Sequence, residues 1–386
     1  MLISRPDYYK QFQCTADACE DTCCAGWQIM VDRKSLKKYK NALKNQSLSK
    51  KFRRQLQEGV DWKEGCFRQN AEKRCAFLDE NNLCDLYTNL GKDHLCRTCR
   101  RYPRHIEEFE NVREISLSLS CPEVAKILMN RVSPVTFQEV EVDKEEEYED
   151  FDVFLYSQLL DARSTIIQIL QNRSLSLEVR QRLMYGIAHD MQRRVKQGEL
   201  FACSEVIEKY QTERAKTFAE AKLKAEKSDD KQVFETRKKN FRKLFQLELL
   251  KQEWDIQLLE VERGLYLGHT EEEYADITAR FWNWMDEREF PWEIQKEQIL
   301  VYFVSTYFCG AVYDEAILPK VGMAMMAAEV IEEILKVRWI QNGEDLTVED
   351  VVDVVYRFSR EVEHSDENLK RMEELNQDYL RSCAEG

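Results

Sequence analysis

Beyond residue 150 apolar side chains return every third or fourth position, as in Val351, Val354, Val355 and Phe358, or Phe241, Leu244, Phe245 and Leu249. That spacing lines one face of an α-helix. It predicts helices near 151–172, 176–196, 203–227, 231–264, 271–289, 292–310, 314–341, 347–363 and 365–382. Two of these starts carry a capping-box pair, Thr270 with Glu273 and Thr347 with Asp350, in which each side chain satisfies a backbone donor that the first helical turn leaves open. The first 130 residues show no such long period. The expected fold class is mainly α, an irregular cysteine-rich N-terminal domain followed by an α-helical bundle.

Composition supports this picture. Only 12 Gly and 6 Pro occur among 386 residues, too few for a turn-rich all-β architecture. With 43% hydrophobic and 33% charged residues the chain is neither wholly disordered nor a polytopic membrane protein. The most apolar stretch, Ile299 to Val312, is shorter than the roughly 20 residues a bilayer crossing takes, so no membrane partner is expected. The opening Met1 to Lys10 meets charge at once and has no apolar run of the signal-peptide kind, which points to a cytoplasmic protein.

Charge divides the chain. Residues 1 to 130 hold 23 Lys and Arg against 18 Asp and Glu, whereas the remainder holds 34 against 53. The acidic run from Glu139 to Asp150 has the composition of a solvated connector or a first helical turn. The expected organisation is therefore a cysteine-rich metal-binding domain over 1–135, an acidic connector over 136–150 and a helical domain over 151–386.

Cysteine divides it in the same place. Ten of the 13 Cys lie between Cys14 and Cys121. A reducing cytoplasm directs such a set toward metal binding or catalysis before disulfides. The first cluster is Cys14, Cys19, Cys23 and Cys24; the second is Cys75, Cys84, Cys96 and Cys99, with Cys66 before it and Cys121-Pro122 after it. Thiolates are soft ligands for zinc and for iron–sulfur clusters. Structural zinc gathers two close pairs, and only one Cys-x-x-Cys occurs here, which favours a cluster and leaves zinc as the alternative. Adjacent Cys23 and Cys24 do not easily point at one ion. Nearby Arg97, Arg100 and Arg101 either bind a carboxylate or phosphate of a ligand held beside the metal or offset thiolate charge. With thiols in such excess, His94 and His105 rank below them as ligands.

These residues resemble the bacterial flagellin lysine-N-methylase family, part of a group named for a zinc- or iron-chelating Cys-x-x-Cys-x-x-Cys-Cys motif. The resemblance rests on the segments Tyr8 to Trp27, Cys75 to Asp79, Leu83 to Tyr87 and Leu95 to Pro103. It implies an enzyme that methylates lysine side chains of flagellin with S-adenosylmethionine and an iron–sulfur cluster, 4Fe–4S in type. Carried over by position, it singles out Cys14, Cys19, Cys23, Cys24, Cys75, Cys84, Cys96, Cys99 and Cys121 as metal ligands, and it names no catalytic residue. The spacing of the first cluster, four residues and then three, departs from the two-and-two name motif. The radical S-adenosylmethionine triplet Cys-x3-Cys-x2-Cys fails as well, because Gly26 stands where the third cysteine would be.

No Gly-x-Gly occurs in the chain, which disfavours a doubly wound donor-binding sheet. The donor's amino-carboxylate end is expected at the cluster, assisted by Arg97, Arg100 or Arg101. Residues 33 to 58 carry ten Lys and Arg against one acid, yet a net charge of −14 argues for a solvated face and against a nucleic-acid partner. The aromatics Phe281, Trp282, Trp284, Trp292, Tyr302, Phe303 and Tyr307 suit core packing better than an ammonium cage. Two other readings remain on sequence grounds, a non-enzymatic zinc-binding adaptor and an electron-transfer iron–sulfur protein.

Overall fold

A computed structural model describes residues 1–143, 152–225 and 229–375. The chain opens with strand β1 (Leu2–Pro6), followed by helices α1 (Arg33–Ala42) and α2 (Lys50–Gly59), the short hairpin β2 (Val60–Asp61) and β3 (Cys66–Phe67), and helices α3 (Asp85–Leu90) and α4 (Arg97–Arg101). Strands β4 (Arg104–Phe109) and β5 (Val112–Leu117), helix α5 (Pro122–Met129) and strand β6 (Phe137–Glu141) come next. Twelve helices follow: α6 (Val153–Leu170), α7 (Leu177–Lys196), α8 (Cys203–Gln211), α9 (Glu213–Ala225), α10 (Asp230–Arg242), α11 (Gln252–Val261), α12 (Glu271–Glu287), α13 (Trp292–Tyr307), α14 (Ala311–Asp314), α15 (Ile317–Gln341), α16 (Val348–Glu363) and α17 (Asp366–Leu375). The protein is mainly α, as the apolar periodicity indicates.

Both capping boxes form, at Thr270 with Glu273 and at Thr347 with Asp350. The expected helix over 203–227 breaks at Thr212, whose extended backbone separates α8 from α9. The expected helix over 231–264 is interrupted between α10 and α11, where Glu361 accepts the backbone N–H groups of Leu250 and Lys251 at 2.8 and 2.9 Å. A local period cannot reveal a partner 110 residues away. The expected helix over 365–382 is present as α17; residues 376–386, Cys383 included, lie outside the described residues.

The N-terminal part is less irregular than expected. It contains a four-stranded sheet in the order β4-β5-β1-β6, with β1 parallel to β5 and antiparallel to β6. The edge strand β6 takes up the start of the stretch expected to be a connector. All five of its side chains are exposed, so no apolar alternation marks it, and its ladder to β1 rests on main-chain hydrogen bonds. Residues 144–151, the rest of that run, lie outside the described residues.

Two apolar cores result. The smaller gathers Ile29, Val31, Tyr39, Phe52, Leu56, Phe67 and Phe77 with Cys75 and Cys96, and α1 lays its Leu36–Tyr39–Leu43 stripe on it while its basic residues face water. The larger joins the bundle to Tyr8, Phe109, Leu117, Leu119, Cys121 and α5. At its centre α13 and α15 are buried nearly all round. Charges there are paired: Lys296 reaches Glu332 at 2.6 Å and Lys336 reaches Glu333 at 2.8 Å. Tyr266 and Tyr274 also donate to Glu333, at 2.6 and 2.9 Å.

Candidate metal centre

Local backbone structure aims the cysteines. Cys84, Cys96 and Cys121 each stand immediately before a helix, α3, α4 and α5 respectively, where open backbone N–H groups favour a thiolate. The first cluster folds over the second through main-chain contacts: Cys75 N–H donates to Cys24 O at 2.8 Å, and Gly26 N–H donates to Lys73 O at 3.1 Å. Gly26 has a φ of +93°, and a Cβ there would lie 3.0 Å from Lys251 Cε. Glycine is the residue that allows both the turn and the approach. Asp32 fixes the entry to α4, accepting from Arg97 N at 2.8 Å and from Ser35 N at 3.0 Å.

The thiols of the two clusters lie close enough to act on one another electrostatically. Cys75 lies within electrostatic reach of Cys24, Cys84 and Cys96, and Cys99 within reach of Cys96, Cys24 and Cys23. Two couplings between neighbouring thiols stand out. The one between Cys96 and Cys99 holds Cys96 below and Cys99 above the ordinary thiol value. The one between Cys23 and Cys24 does the same, with Cys24 as the group that ionises more readily. Burial pushes Cys84 up to about 11 and Cys75 up to about 12. Cys14 acts electrostatically on both Cys19 and Cys23, and Cys19 acts on Cys121. Cys66 stands apart, buried and accepting from Gln28 Nε2 at 3.0 Å.

The donor chemistry suits a soft metal. Among the described residues, no three His, Cys, Asp or Glu side chains already stand around one point as ligands of a single ion. The thiols approach as close pairs rather than as a tetrahedral set.

The cation among the thiols is one that sequence reasoning missed. Arg360 of α16 is 3% exposed; it pairs with Asp21 at 2.6 Å and donates to the carbonyls of Ser120, Thr22 and Asp21 at 2.8, 3.3 and 2.6 Å. It acts electrostatically on Cys19, Cys23, Cys24 and Cys121. Arg97, Arg100 and Arg101 lie exposed on α4, beside Cys96 and Cys99 in the chain. Partial burial and the neighbouring guanidinium groups of Arg97, Arg113 and Arg100 depress the Arg101 pKa.

Beside the thiols lies an aromatic and polar nest. Trp27 donates to Cys23 O at 2.8 Å and stacks on His364 with centroids 4.6 Å apart. Tyr102 meets His364 edge-on at 5.6 Å. Burial and the charges of Arg360 and Lys251 push His364 down to about 3, so its ring is neutral. Its Nε2 is 3.0 Å from Ser120 Oγ, which is 2.5 Å from Ser118 Oγ, and Ser118 donates to Glu363 Oε2 at 3.0 Å. Tyr302 and Tyr307 donate to the same oxygen at 2.5 and 2.8 Å. Of the aromatic residues weighed as a cage, Phe281, Trp292 and Phe303 are buried in the core, whereas the Tyr302 and Tyr307 hydroxyls meet at Glu363. Tyr302 and Glu363 are 61 residues apart, beyond any local signal.

A cavity of about 170 Å³ lies between α11, α15 and α16, lined by Glu253, Glu260 and Asp353 among others. A smaller one, bordered by Asp21, Lys251, Arg360 and Glu361, lies between it and the first cysteine cluster.

The structure is a helical bundle joined to a cysteine-rich, sheet-containing N-terminal part, with the buried Arg360 of the bundle acting on its thiols. The FliB lysine N-methylase C-terminal domain profile matches residues 163–383, more than half of the chain, and the chain belongs to that family. It is 33% identical over 133 residues to the flagellar biosynthetic protein FliU of Salmonella muenchen, a match covering 34% of this chain and 78% of that protein. It is 32% identical over 134 residues to the lysine-N-methylases of Salmonella typhimurium and Salmonella choleraesuis; each match covers 34% of this chain and 33% of the relative. The chain thus spans about a third of the length of these two methylases. No solved structure matches. Among the described residues no helix is long and apolar enough to cross a membrane.

Proposed function

We propose that the chain is a protein lysine N-methyltransferase that modifies flagellin in the cytoplasm, with S-adenosylmethionine as methyl donor and an iron–sulfur cluster as resident cofactor. The observation that carries this reading is that the chain matches the FliB lysine N-methylase C-terminal domain and carries, in its N-terminal part, thiols of two cysteine clusters that act on one another electrostatically. The reaction moves a methyl group from the donor's sulfonium to a lysine nitrogen, leaving a thioether and releasing one proton from the amine.

The ligands of the cluster would be drawn from Cys14, Cys19, Cys23, Cys24, Cys75, Cys84, Cys96, Cys99 and Cys121, because soft thiolates suit iron–sulfur chemistry. When bound, a cluster supplies redox-active iron and a coordination position for the amino-carboxylate end of the donor. Arg97, Arg100 and Arg101 are suited to the donor's carboxylate: among the described residues no acidic side chain forms an ion pair with any of them, and Arg suits bidentate anion recognition. Arg360, tied to Asp21, offsets thiolate charge from the helical side.

The test uses intact protein purified without oxygen. Metal and acid-labile sulfide are measured first. The protein is then incubated with S-adenosylmethionine, a reductant and flagellin of the same organism, and flagellin lysines are read by mass spectrometry. The expected result is a brown protein that adds methyl groups to lysine. A colourless zinc protein without sulfide that leaves flagellin unmodified would overturn this reading in favour of a zinc-binding adaptor.

A further inference from the structure

Glu363 closes α16 with its two carboxylate oxygens in unequal surroundings. Oε2 accepts three hydroxyl hydrogen bonds, from Tyr302, Tyr307 and Ser118 at 2.5, 2.8 and 3.0 Å. Oε1 is shut from solvent and has no hydrogen-bond partner among the described residues. A buried acceptor left open is destabilising, so such an atom calls for an explanation, and a ligand that completes it is one.

The surroundings specify that ligand's chemistry. Among the described residues no Lys or Arg forms an ion pair with Glu363; Arg360, one turn earlier, is committed to Asp21 and to three carbonyls. The imidazole of His105 is drawn to Glu107, with Nε2 2.8 Å from its Oε1. The His105 and Tyr307 rings lie 5.5 Å apart, and both residues are half-buried, so this wall of the nest reaches the surface. Burial raises the Glu363 pKa and His105 opposes that shift from a distance; an open carboxyl oxygen that no Lys or Arg pairs with, beside aromatic rings, suits an alkylammonium, whose charge would hold the carboxyl ionised. A guanidinium would lose its two-oxygen bidentate contact here, because Oε2 is already filled, whereas the compact ammonium needs one oxygen only.

We propose that Glu363 Oε1 seats the ε-ammonium of the lysine to be modified, and that the hydroxyls of Tyr302, Tyr307 and Ser118 position the carboxylate for it. The assignment rests on the lysine-methylase reading and adds to it the residue that selects lysine over arginine.

The test is binding to the intact, metal-loaded protein without methyl donor, read by saturation-transfer NMR with Nα-acetyl-lysine methylamide and its arginine and norleucine counterparts. The lysine probe is expected to bind at least tenfold more tightly than either counterpart. Glu363→Gln should abolish that preference, and Tyr307→Phe, the milder change, should reduce it about threefold with metal content unchanged. Equal binding of the lysine and norleucine probes, or undiminished preference in both variants, would overturn the assignment. The two readings separate: lysine-selective binding without methyl transfer to flagellin sinks the methylase reading alone, whereas full methylation by Glu363→Gln sinks the lysine seat alone.

Discussion

Arg360 and Asp21 form an ion pair at 2.6 Å although 339 residues separate them, and the pair joins α16 to the loop that carries Cys19, Cys23 and Cys24. The bundle and the cysteine loop are held to each other by charge as well as by apolar contact. Lys251 supports the same carboxylate at 2.6 Å.

Removing the guanidinium leaves buried carbonyls and a half-buried carboxylate short of a partner. Breaking a buried pair in this way costs about 3 kcal/mol. Arg360→Leu should lower the denaturant midpoint accordingly and weaken metal retention. Asp21→Asn should cost less, since Arg360 keeps its carbonyl acceptors. Equal midpoints for wild type and Arg360→Leu would show the pair to be dispensable.

The cysteines should separate by location. Cys96→Ser and Cys99→Ser are expected to lose metal and to loosen the smaller core, because metal binding and folding are coupled in thiol-built modules. Cys203 and Cys309 are buried at 0% and 1% exposure inside the larger core. Burial pushes the Cys309 thiol up to about 12, so it is neutral and behaves as a small hydrophobe. Cys203→Ala and Cys309→Ala should keep full metal content by elemental analysis.

Acid should act through Glu332. Burial raises its pKa, but Lys296, Lys336 and Arg237 outweigh burial and bring it down from 4.5 to about 2. A depressed folded-state pKa means stability that is present above 4.5 and lost as pH falls toward 2. The linkage is about 3 kcal/mol at roughly 1.4 kcal/mol per pH unit. Glu332→Gln should be less stable than wild type at pH 7, and the gap should narrow below pH 4. A gap that stays constant down to pH 2.5 would contradict the assignment.

Substrate capture should depend on salt. Acidic residues exceed basic ones by 53 to 34 beyond residue 130, and such a field attracts a lysine-bearing surface until ions screen it. The screening length is about 10 Å at 0.1 M. Flagellin association should slow several-fold between 0.05 and about 0.3 M salt in stopped-flow measurements; an unchanged rate would remove charge as the steering force.

The helices of the bundle were legible because their apolar stripes repeat within a few residues, and Thr270 and Thr347 marked two starts. Elements set by distant partners were not legible. β6 pairs through its backbone alone, the 247–251 break depends on Glu361, and Arg360 is one arginine among many until α16 is folded against Asp21. Among candidate site residues the thiols were identifiable by type. Glu363 carried no signal at all, since its significance lies in three hydroxyls delivered by two other segments.

The two cores place the cysteine-rich segment within the sequence of a larger body, not ahead of it. Tyr8 before that segment and Phe109 and Leu117 after it are all part of the larger core, so residues 29–96 are held at both ends. If the segment opens locally on metal loss, a protease has a target without a fragment to release. The product would be a nicked protein whose two pieces migrate as one in a native gel, and only detergent would part them.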